Sequence, residues 1–235
     1  MKIEIKHIYC GQSKKINDGK REEYNSSYQK IPLNKSAYAL DENGFIYDTQ
    51  SDKESHGGID KAVCVYSLDD YKYFEEKNNL TLPPCAFGEN LSIVGFNDRD
   101  ICLGDKFACG EVIFEVSQPR QPCWKVSSIM GIKKLTSMLV KEYKSGFYLR
   151  VLQAGNIKPS DKLELISRDY PKFTIEFINQ VSFKAKDNQE NIKEILSCEK
   201  LAEGYRVSLE QRYKEKKEGL HEWQKDDYIE ATESE

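Results

Sequence analysis

The sequence lacks the features of several common classes of site. Its 235 residues include only three histidines, at positions 7, 56 and 221, and none stands in a spaced metal-ligand motif. The seven cysteines are odd in number and include no Cys-x-x-Cys pair. A zinc ribbon and a disulfide framework are therefore not indicated, and we expect a reduced, cytoplasmic protein.

Long apolar runs and an excess of positive charge are also absent. No apolar stretch approaches the length of a membrane span, and the charged residues 1–6 do not have the pattern of a signal peptide. The net charge is −4 and the pI about 5.6. This balance argues against binding to nucleic acid or to a membrane surface by bulk electrostatics, so we expect neither partner.

The residues that are present predict two regions that differ in secondary structure. Hydrophobic residues make up 39% of the chain, enough for a core. Short apolar runs without regular strand–helix alternation favour a mixed or antiparallel barrel at residues 1–167. Apolar residues at helical spacing predict a small three-helix domain at residues 172–217, followed by an acidic tail at residues 218–235. The predicted fold class is α+β, mainly β with inserted helices.

The most informative stretch is EVSQPRQPCWK, at residues 115–125. The apolar run at residues 112–116 predicts a strand, and two prolines end it because proline fixes φ and lacks a backbone donor. The resulting stiff loop holds Arg120 close to Cys123. A fixed cation favours the thiolate, the form that binds metal or acts as a nucleophile. A buried cysteine beside a surface arginine is the alternative interpretation.

Two glycine turns precede this loop. HGGIDK, at residues 56–61, leads into an apolar strand, and its glycine pair permits positive φ or a close approach of the backbone to a ligand. This motif suits an anion or a polar ring system, although a plain turn before a buried strand is as good an account. FGENL, at residues 87–91, is a second compact turn.

Together these stretches resemble the MOSC domain family, which is named for the C-terminal part of molybdenum-cofactor sulfurases. The matching motifs are HGGxDKA at residues 56–62, FGENL at 87–91 and VSQPRxPC at 116–123. The chain resembles in particular the bacterial YiiM type, whose members end in a small three-helix domain. It departs from the family at Ile59, where proline is usual, and at Val65, where many members have histidine.

The resemblance implies a MOSC-type β-barrel with the molybdenum cofactor, a molybdenum–pterin group, in a cleft. The family's molybdenum ligand is the cysteine after SQPRxP, here Cys123. Cys123 and His56 are the candidate catalytic residues. His56 is a candidate proton donor, because an unperturbed imidazole titrates near working pH; a turn-stabilising hydrogen bond is its alternative role. The residues implied to hold the cofactor are Cys123, Arg120, Gln118, Ser117, His56, Gly57, Gly58, Asp60, Lys61 and Asn90.

YiiM-like proteins and their eukaryotic relatives reduce N-hydroxylated compounds such as hydroxylaminopurines and amidoximes. The resemblance therefore implies a reductase that passes two electrons from a redox protein to a small N-hydroxylated substrate. A sulfur carrier with a Cys123 persulfide, and a module that only stores or delivers the cofactor, remain open. The charged residues 214–217 are a candidate docking surface for the electron donor, and a homodimer is compatible with the sequence.

Overall fold

The structure, a computed structural model, describes residues 1–17, 22–51, 57–216 and 220–225. Within these ranges the chain forms thirteen β-strands and six α-helices. Most of the predicted tail lies outside the described residues; the part within them contains a 3-10 helix at Glu222–Gln224. None of the described helices combines the length and apolar composition that a membrane span requires.

The strands are short and follow one another closely through the first two thirds of the chain. They are β1 Lys2–Cys10, β2 Lys14–Ile16, β3 Tyr24–Ser26, β4 Ile31–Pro32, β5 Tyr38–Asp41, β6 Gly44–Phe45, β7 Val63–Ser67, β8 Leu91–Val94, β9 Lys106–Cys109, β10 Val112–Pro119, β11 Phe147–Gln153, β12 Gly155–Ile157 and β13 Lys162–Ser167.

Seven of these strands close into a barrel. Hydrogen-bonded neighbours follow the order β13-β9-β10-β11-β7-β8-β1, and β1 returns to β13 with Ile3 opposite Leu163. The pairs are antiparallel except β7 with β8. That parallel pair needs a crossover, because a tight turn cannot join parallel strands. The prediction of a mainly β fold built on a barrel is confirmed.

Alternating apolar side chains fill the barrel. In β1, Ile3 and Ile5 are buried in the core while Lys2 and Glu4 face solvent, as expected because successive side chains of a strand point to opposite faces. Phe107, Phe114 and Phe147 from three neighbouring strands are fully buried in the same core. The hydrophobic effect of this burial, about 25 cal/mol per Å² of apolar surface, is the main stabilising contribution to the barrel.

Three helices pack outside the barrel near the predicted cysteine loop. They are α1 Leu68–Asn78, which is the crossover between β7 and β8, α2 Lys125–Met130 and α3 Leu135–Lys141. A second apolar cluster joins them, built from Tyr66, Tyr71, Phe74, Phe87, Val126, Leu135 and Leu139 among others. Because α2 begins two residues after Cys123, this cluster also anchors the end of the loop.

Three further helices follow the barrel: α4 Ile175–Phe183, α5 Gln189–Leu196 and α6 Glu203–Glu215. Their apolar cluster includes Leu103, from the turn before β9. Nearby, the buried Asp105 accepts hydrogen bonds from both Nε and Nη2 of Arg168, at 2.8 and 2.6 Å. The core of the helices therefore includes a residue that precedes a barrel strand, and a domain boundary between residues 167 and 172 stays a prediction.

The turn before β11 is held from two sides. Asp98, which is 3% exposed, accepts hydrogen bonds at Oδ2 from the amides of Ser145 and Gly146, at 2.8 and 3.1 Å. Asn179 of α4 donates from Nδ2 to the hydroxyl of Ser145 at 2.8 Å. A buried carboxylate and a C-terminal helix thus fix the same turn.

Replacing Asp98 by asparagine should flatten the pH dependence of stability. Burial, followed by the charge of Asp70, raises the pKa of Asp98 from 3.8 to about 7. Because the native state binds this proton more tightly than the unfolded chain, its stabilising contribution is present below pH 3.8 and is lost as the pH rises through about 7. Asp98→Asn keeps an acceptor oxygen but does not titrate.

Urea denaturation of the wild type and Asp98→Asn between about pH 5 and pH 8 measures this difference. We expect the free energy of unfolding of the wild type to fall more steeply with rising pH than that of the variant. Parallel curves for the two proteins would show that Asp98 does not titrate as the structure indicates.

Candidate functional site

The predicted cysteine loop leaves the barrel at the end of β10. The strand continues beyond the predicted residues 112–116 and ends at Pro119. The amide of Arg120 still donates to the carbonyl of Gly146 at 2.9 Å, and α2 begins at Lys125. Residues 120–124 therefore form a short bridge that is fixed to the sheet at one end and to a helix at the other.

This bridge forms one wall of a cleft. The cleft contains about 740 Å³ of empty space, part of it open to solvent. Most of the residues that line it have polar side chains. The lining residues are Ser26, Ser27, Tyr28, Lys30, Asp48, Thr49, Gln50, Ser51, Lys61, Ala62, Cys64, Phe87, Gly88, Asn90, Arg120, Gln121, Cys123, Lys125 and Tyr148.

Arg120 is a buried cation that has no counterion among the described residues. It is 5% exposed, forms no ion pair with a carboxylate in the described part of the chain, and its Nη1 is buried without a hydrogen-bond acceptor. A guanidinium cannot lose its charge in a protein, and a buried unpaired charge is costly. Such a side chain can bind a negatively charged group.

Cys123 differs from the other six cysteines in its exposure. All seven thiols are free, and only Cys123 is not buried. Cys64 also lines the cleft, but burial raises its pKa to about 11, so it stays protonated at neutral pH. Cys85, which could have faced the cleft, instead directs its thiol to the carbonyl of Glu89 at 3.2 Å. Cys123 is the accessible thiol of the site.

The predicted Asn90 lines the cleft with its amide fully engaged by the protein. Its Oδ1 accepts from the amide of Cys64 at 3.0 Å, and its Nδ2 donates to the carbonyl of Tyr9 at 3.1 Å and to Asp48 at 2.8 Å. Asp48 also pairs with Lys30, and both side chains are about nine-tenths buried. Asn90 thus ties two strands to a buried ion pair in the wall.

Positive charge dominates the cleft. Among the described residues its lining includes the cations Lys30, Lys61, Arg120 and Lys125, against the single carboxylate of Asp48. The whole chain carries a net charge of −4. The described part of the lining therefore has the opposite sign from the protein as a whole, which favours an anionic ligand there.

The first glycine turn is placed near the cleft by Gln50, which the sequence did not single out. The side chain of Gln50 accepts from the amide of Gly58 at 2.8 Å and donates to the carbonyl of Lys61 at 3.2 Å. Gly58 has a φ of +91°, as the glycine pair predicted, and is exposed. Lys61 lines the cleft, whereas Gly57 and Gly58 are not among the lining residues.

Three other predicted residues lie outside the lining. Asp60 forms an ion pair with Arg150 at 2.9 Å, and the hydroxyl of Ser117 donates to the Asp60 carbonyl. The carbonyl of Ser117 accepts from the amide of Ala202, just before α6. Gln118 is buried beside them in β10, and its Oε1 has no hydrogen-bond partner. Ser117 and Asp60 thus join the barrel to the C-terminal helices.

His56 lies outside the described residues, so its predicted role as a proton donor stays a prediction. Tyr148, which the sequence analysis did not select, lines the cleft. Burial raises the pKa of Tyr148 above its ordinary value, so its hydroxyl is a hydrogen-bond donor at neutral pH. The sequence analysis missed Tyr148 because its place in the cleft depends on strand pairing. Tyr148 pairs with Cys64 and with Gln118 on neighbouring strands, and strand register is not visible in motif spacing.

Residues 52–164 match the family model of the MOSC domain. The chain is 39% identical over 192 residues to the uncharacterized protein YflK of Bacillus subtilis strain 168, covering 82% of this chain and 86% of YflK. It is 30% identical over 209 residues to the protein YiiM of Escherichia coli strain K12, covering 87% of this chain and 90% of YiiM.

A protein of Gibberella moniliformis named reductase is 34% identical over 134 residues, covering 54% of this chain and 23% of that protein. Among solved structures, YiiM from Geobacillus stearothermophilus has a TM-score of 0.74 and 30% sequence identity, covering 90% of this chain and 99% of that one. The likeness therefore extends through the barrel and the C-terminal helices.

Cys123 should be the first thiol modified in the folded protein. The other six cysteines are buried, so a soluble alkylating reagent reaches them only after unfolding. Limited treatment of native protein with iodoacetamide, followed by peptide mass spectrometry, should find the label on Cys123, and treatment in denaturant should label all seven. Earlier labelling of any other cysteine would contradict this arrangement.

Replacing Arg120 by methionine should stabilise the ligand-free protein or leave its stability unchanged. Removing a buried charge that has no counterion among the described residues avoids its desolvation cost, which is on the order of several kcal/mol per ion. Arg168→Met is the matched control, because Arg168 pairs with the buried Asp105 through two hydrogen bonds. That variant should lose about 3–5 kcal/mol by leaving a buried carboxylate unpaired.

Urea denaturation of both variants and the wild type checks this pair of expectations. A large loss of stability in Arg120→Met would mean that Arg120 serves the fold rather than a ligand. Equal effects of the two substitutions would lead to the same conclusion.

Proposed function

This chain belongs to the MOSC domain family, and we propose that it is a molybdenum-cofactor-binding oxidoreductase that reduces N-hydroxylated compounds, such as hydroxylaminopurines, to amines. Proteins with MOSC domains are associated with the molybdenum cofactor, and one relative of this chain is named a reductase. The substrate class and the reaction are our proposal.

One observation carries it: an accessible thiol and an uncompensated buried cation share one short loop in one cleft. Cys123 is the only one of the seven cysteines that is not buried. Arg120, three residues earlier, is buried without an acceptor for its Nη1. A thiolate is the form of cysteine that binds a metal, and a guanidinium is suited to bind a phosphate. The pairing fits a cofactor that has both a metal and an anionic group.

The residues of the cleft fit this cofactor in their donor chemistry. Cys123 would bind the metal, while Arg120 and Lys61 would face its anionic groups. In the part of the chain that the structure describes, no three His, Cys, Asp or Glu side chains form a metal-ligand set.

The remaining predicted residues would support the cofactor site in different ways. Asn90 would shape the wall, since its amide groups are already engaged by the chain. Gly57 and Gly58 would present the turn that carries Lys61. Ser117 and Asp60 would support the loop from the side of the C-terminal helices.

The proposed reaction converts R–NHOH, two electrons and two protons into R–NH₂ and water. The N–O bond breaks, the oxygen leaves as water, and the electrons come from a redox protein. When bound, the cofactor supplies the two-electron chemistry at the N–O bond. The chain contributes the pocket, the positive charge and hydrogen-bond donors such as the protonated hydroxyl of Tyr148, which lines the cleft.

The docking site of the electron donor remains part of the proposal. In the charged end of α6, Lys214 and Glu210 are 3.9 Å apart and partly neutralise each other. Deleting the C-terminal helices would expose Leu103, which belongs to their core. Charge reversal at Lys214 in the full chain therefore tests docking more cleanly than a deletion.

Cys123→Ala should lose bound molybdenum by about tenfold or more, because second-sphere changes alone cost about 10–100-fold in metal affinity. Protein is purified from a host that makes the cofactor, and its molybdenum and pterin are measured together with the reduction of a hydroxylaminopurine. Cys102→Ala, a buried cysteine outside the cleft, is the control and should keep both.

The other outcomes separate the alternatives. Folded wild type without molybdenum, carrying one extra sulfur on the Cys123 peptide, would indicate a sulfur carrier. Stoichiometric molybdenum without turnover of any N-hydroxylated compound would indicate a storage or delivery protein. Retention of molybdenum in Cys123→Ala would remove Cys123 as the ligand.

A further inference from the structure

Lys125 is a cation of the cleft that the proposed cofactor chemistry does not use. It is the first residue of α2 and follows Cys123 by two positions, so their Cα atoms are at most about 7 Å apart. Its side chain lines the cleft and is partly exposed. Lys125 is therefore close to the accessible thiol of Cys123 and is itself partly exposed, whereas Arg120 is buried.

Two aromatic rings hold the ammonium group in place. Nζ of Lys125 lies 5.5 Å from the centre of the Tyr24 ring and 5.8 Å from the centre of the Trp124 ring. These rings meet edge to face, with their centres 5.1 Å apart. Both distances are within the range of about 6 Å for cation–π attraction. The position of the charge is thus fixed before any ligand arrives.

The charge of Lys125 has no counterion among the residues that the structure describes. It forms no ion pair with a described carboxylate, in contrast to Lys30, which pairs with Asp48 in the same cleft. On the other side of Cys123, Nε2 of Gln121 is buried and has no hydrogen-bond acceptor. An ammonium and an amide donor, both without acceptors, therefore flank the thiol along the loop.

These donors define a second anion subsite. A phosphate ester suits it, because its several acceptor oxygens can take a hydrogen bond from an ammonium and one from an amide together. The anionic group belongs either to the substrate or to the cofactor. Arg120 already offers a buried site for the cofactor, while Lys125 lies on the more exposed part of the loop, where a substrate would enter.

We infer that Lys125 and Gln121 bind the phosphate of the substrate, so that N-hydroxylated nucleotides are preferred over the free bases. This inference rests on the proposed reductase function. It makes Lys125 a specificity-determining residue that acts on substrate binding and leaves the chemical step to the rest of the site.

The kinetic test compares two substrates with the cofactor-loaded full chain: 6-hydroxylaminopurine and its ribonucleoside 5′-monophosphate. In the wild type, KM for the nucleotide should be about tenfold or more below that for the base. Lys125→Met should abolish this difference by raising KM for the nucleotide, with kcat and the KM for the base little changed. Lys133→Met, at an exposed lysine outside the cleft, should behave as the wild type.

A binding test separates this inference from the proposed reaction. Calorimetry with adenosine 5′-monophosphate and with adenine, on protein purified from a host that makes the cofactor, should show that Lys125→Met weakens binding of the nucleotide about tenfold or more and leaves adenine unaffected. If Lys125→Met weakens nucleotide binding while no N-hydroxylated compound is reduced, the proposed reaction is contradicted and the phosphate subsite is supported.

Three results would overturn the subsite. The first is a wild type that does not distinguish nucleotide from base. The second is an equal effect of Lys125→Met on both ligands. The third is loss of molybdenum from Lys125→Met, which would assign the charge to the cofactor instead of the substrate.

Discussion

The burial of Arg120 is the constraint on which the site depends. Its main chain bonds to the carbonyl of Gly146, and its guanidinium has no carboxylate partner in the described chain. Gly146 has a φ of +75°, and a Cβ there would lie 2.5 Å from the carbonyl oxygen of Val65. Only glycine lets the start of β11 approach β7 this closely. A packing requirement of the barrel thus fixes where the unpaired cation lies.

The C-terminal helices take part in this arrangement rather than standing apart from it. Asn179 of α4 bonds to Ser145, next to Gly146, and the amide of Ala202 bonds to Ser117 in β10. The loop is supported by β10 and by the turn before β11, and both of these elements are therefore in contact with helices. A partner that binds these helices would act on elements that hold the loop, which links docking to the geometry of the cleft.

Bulk charge and local charge lead to different conclusions about ligands. A net charge of −4 argues against long nucleic-acid or membrane partners, because those depend on the field of a whole surface. A small anion experiences only the groups around it. The cations that line the cleft are brought together from distant parts of the chain, so the composition could not show them.

Much of the fold and part of the site could be predicted from the sequence. Apolar alternation gave the barrel strands, because side-chain period follows backbone geometry. The motif around Arg120 and Cys123 is contiguous, so its members are close in any fold. The strand nevertheless runs to Pro119 instead of residue 116, and it ends at this proline, which has no backbone N–H to donate.

The sequence by itself determined the class of fold, the cysteine loop and the absence of a spaced metal-ligand motif, because each depends on neighbouring residues. The tertiary structure alone decided which motif residues share the cleft. Asp60 is next to Lys61 in sequence, yet one pairs with Arg150 and the other lines the cleft. Lys30 and Asp48 meet there without any local signal. Strand register and side-chain direction set these contacts, and both are fixed only when the barrel closes.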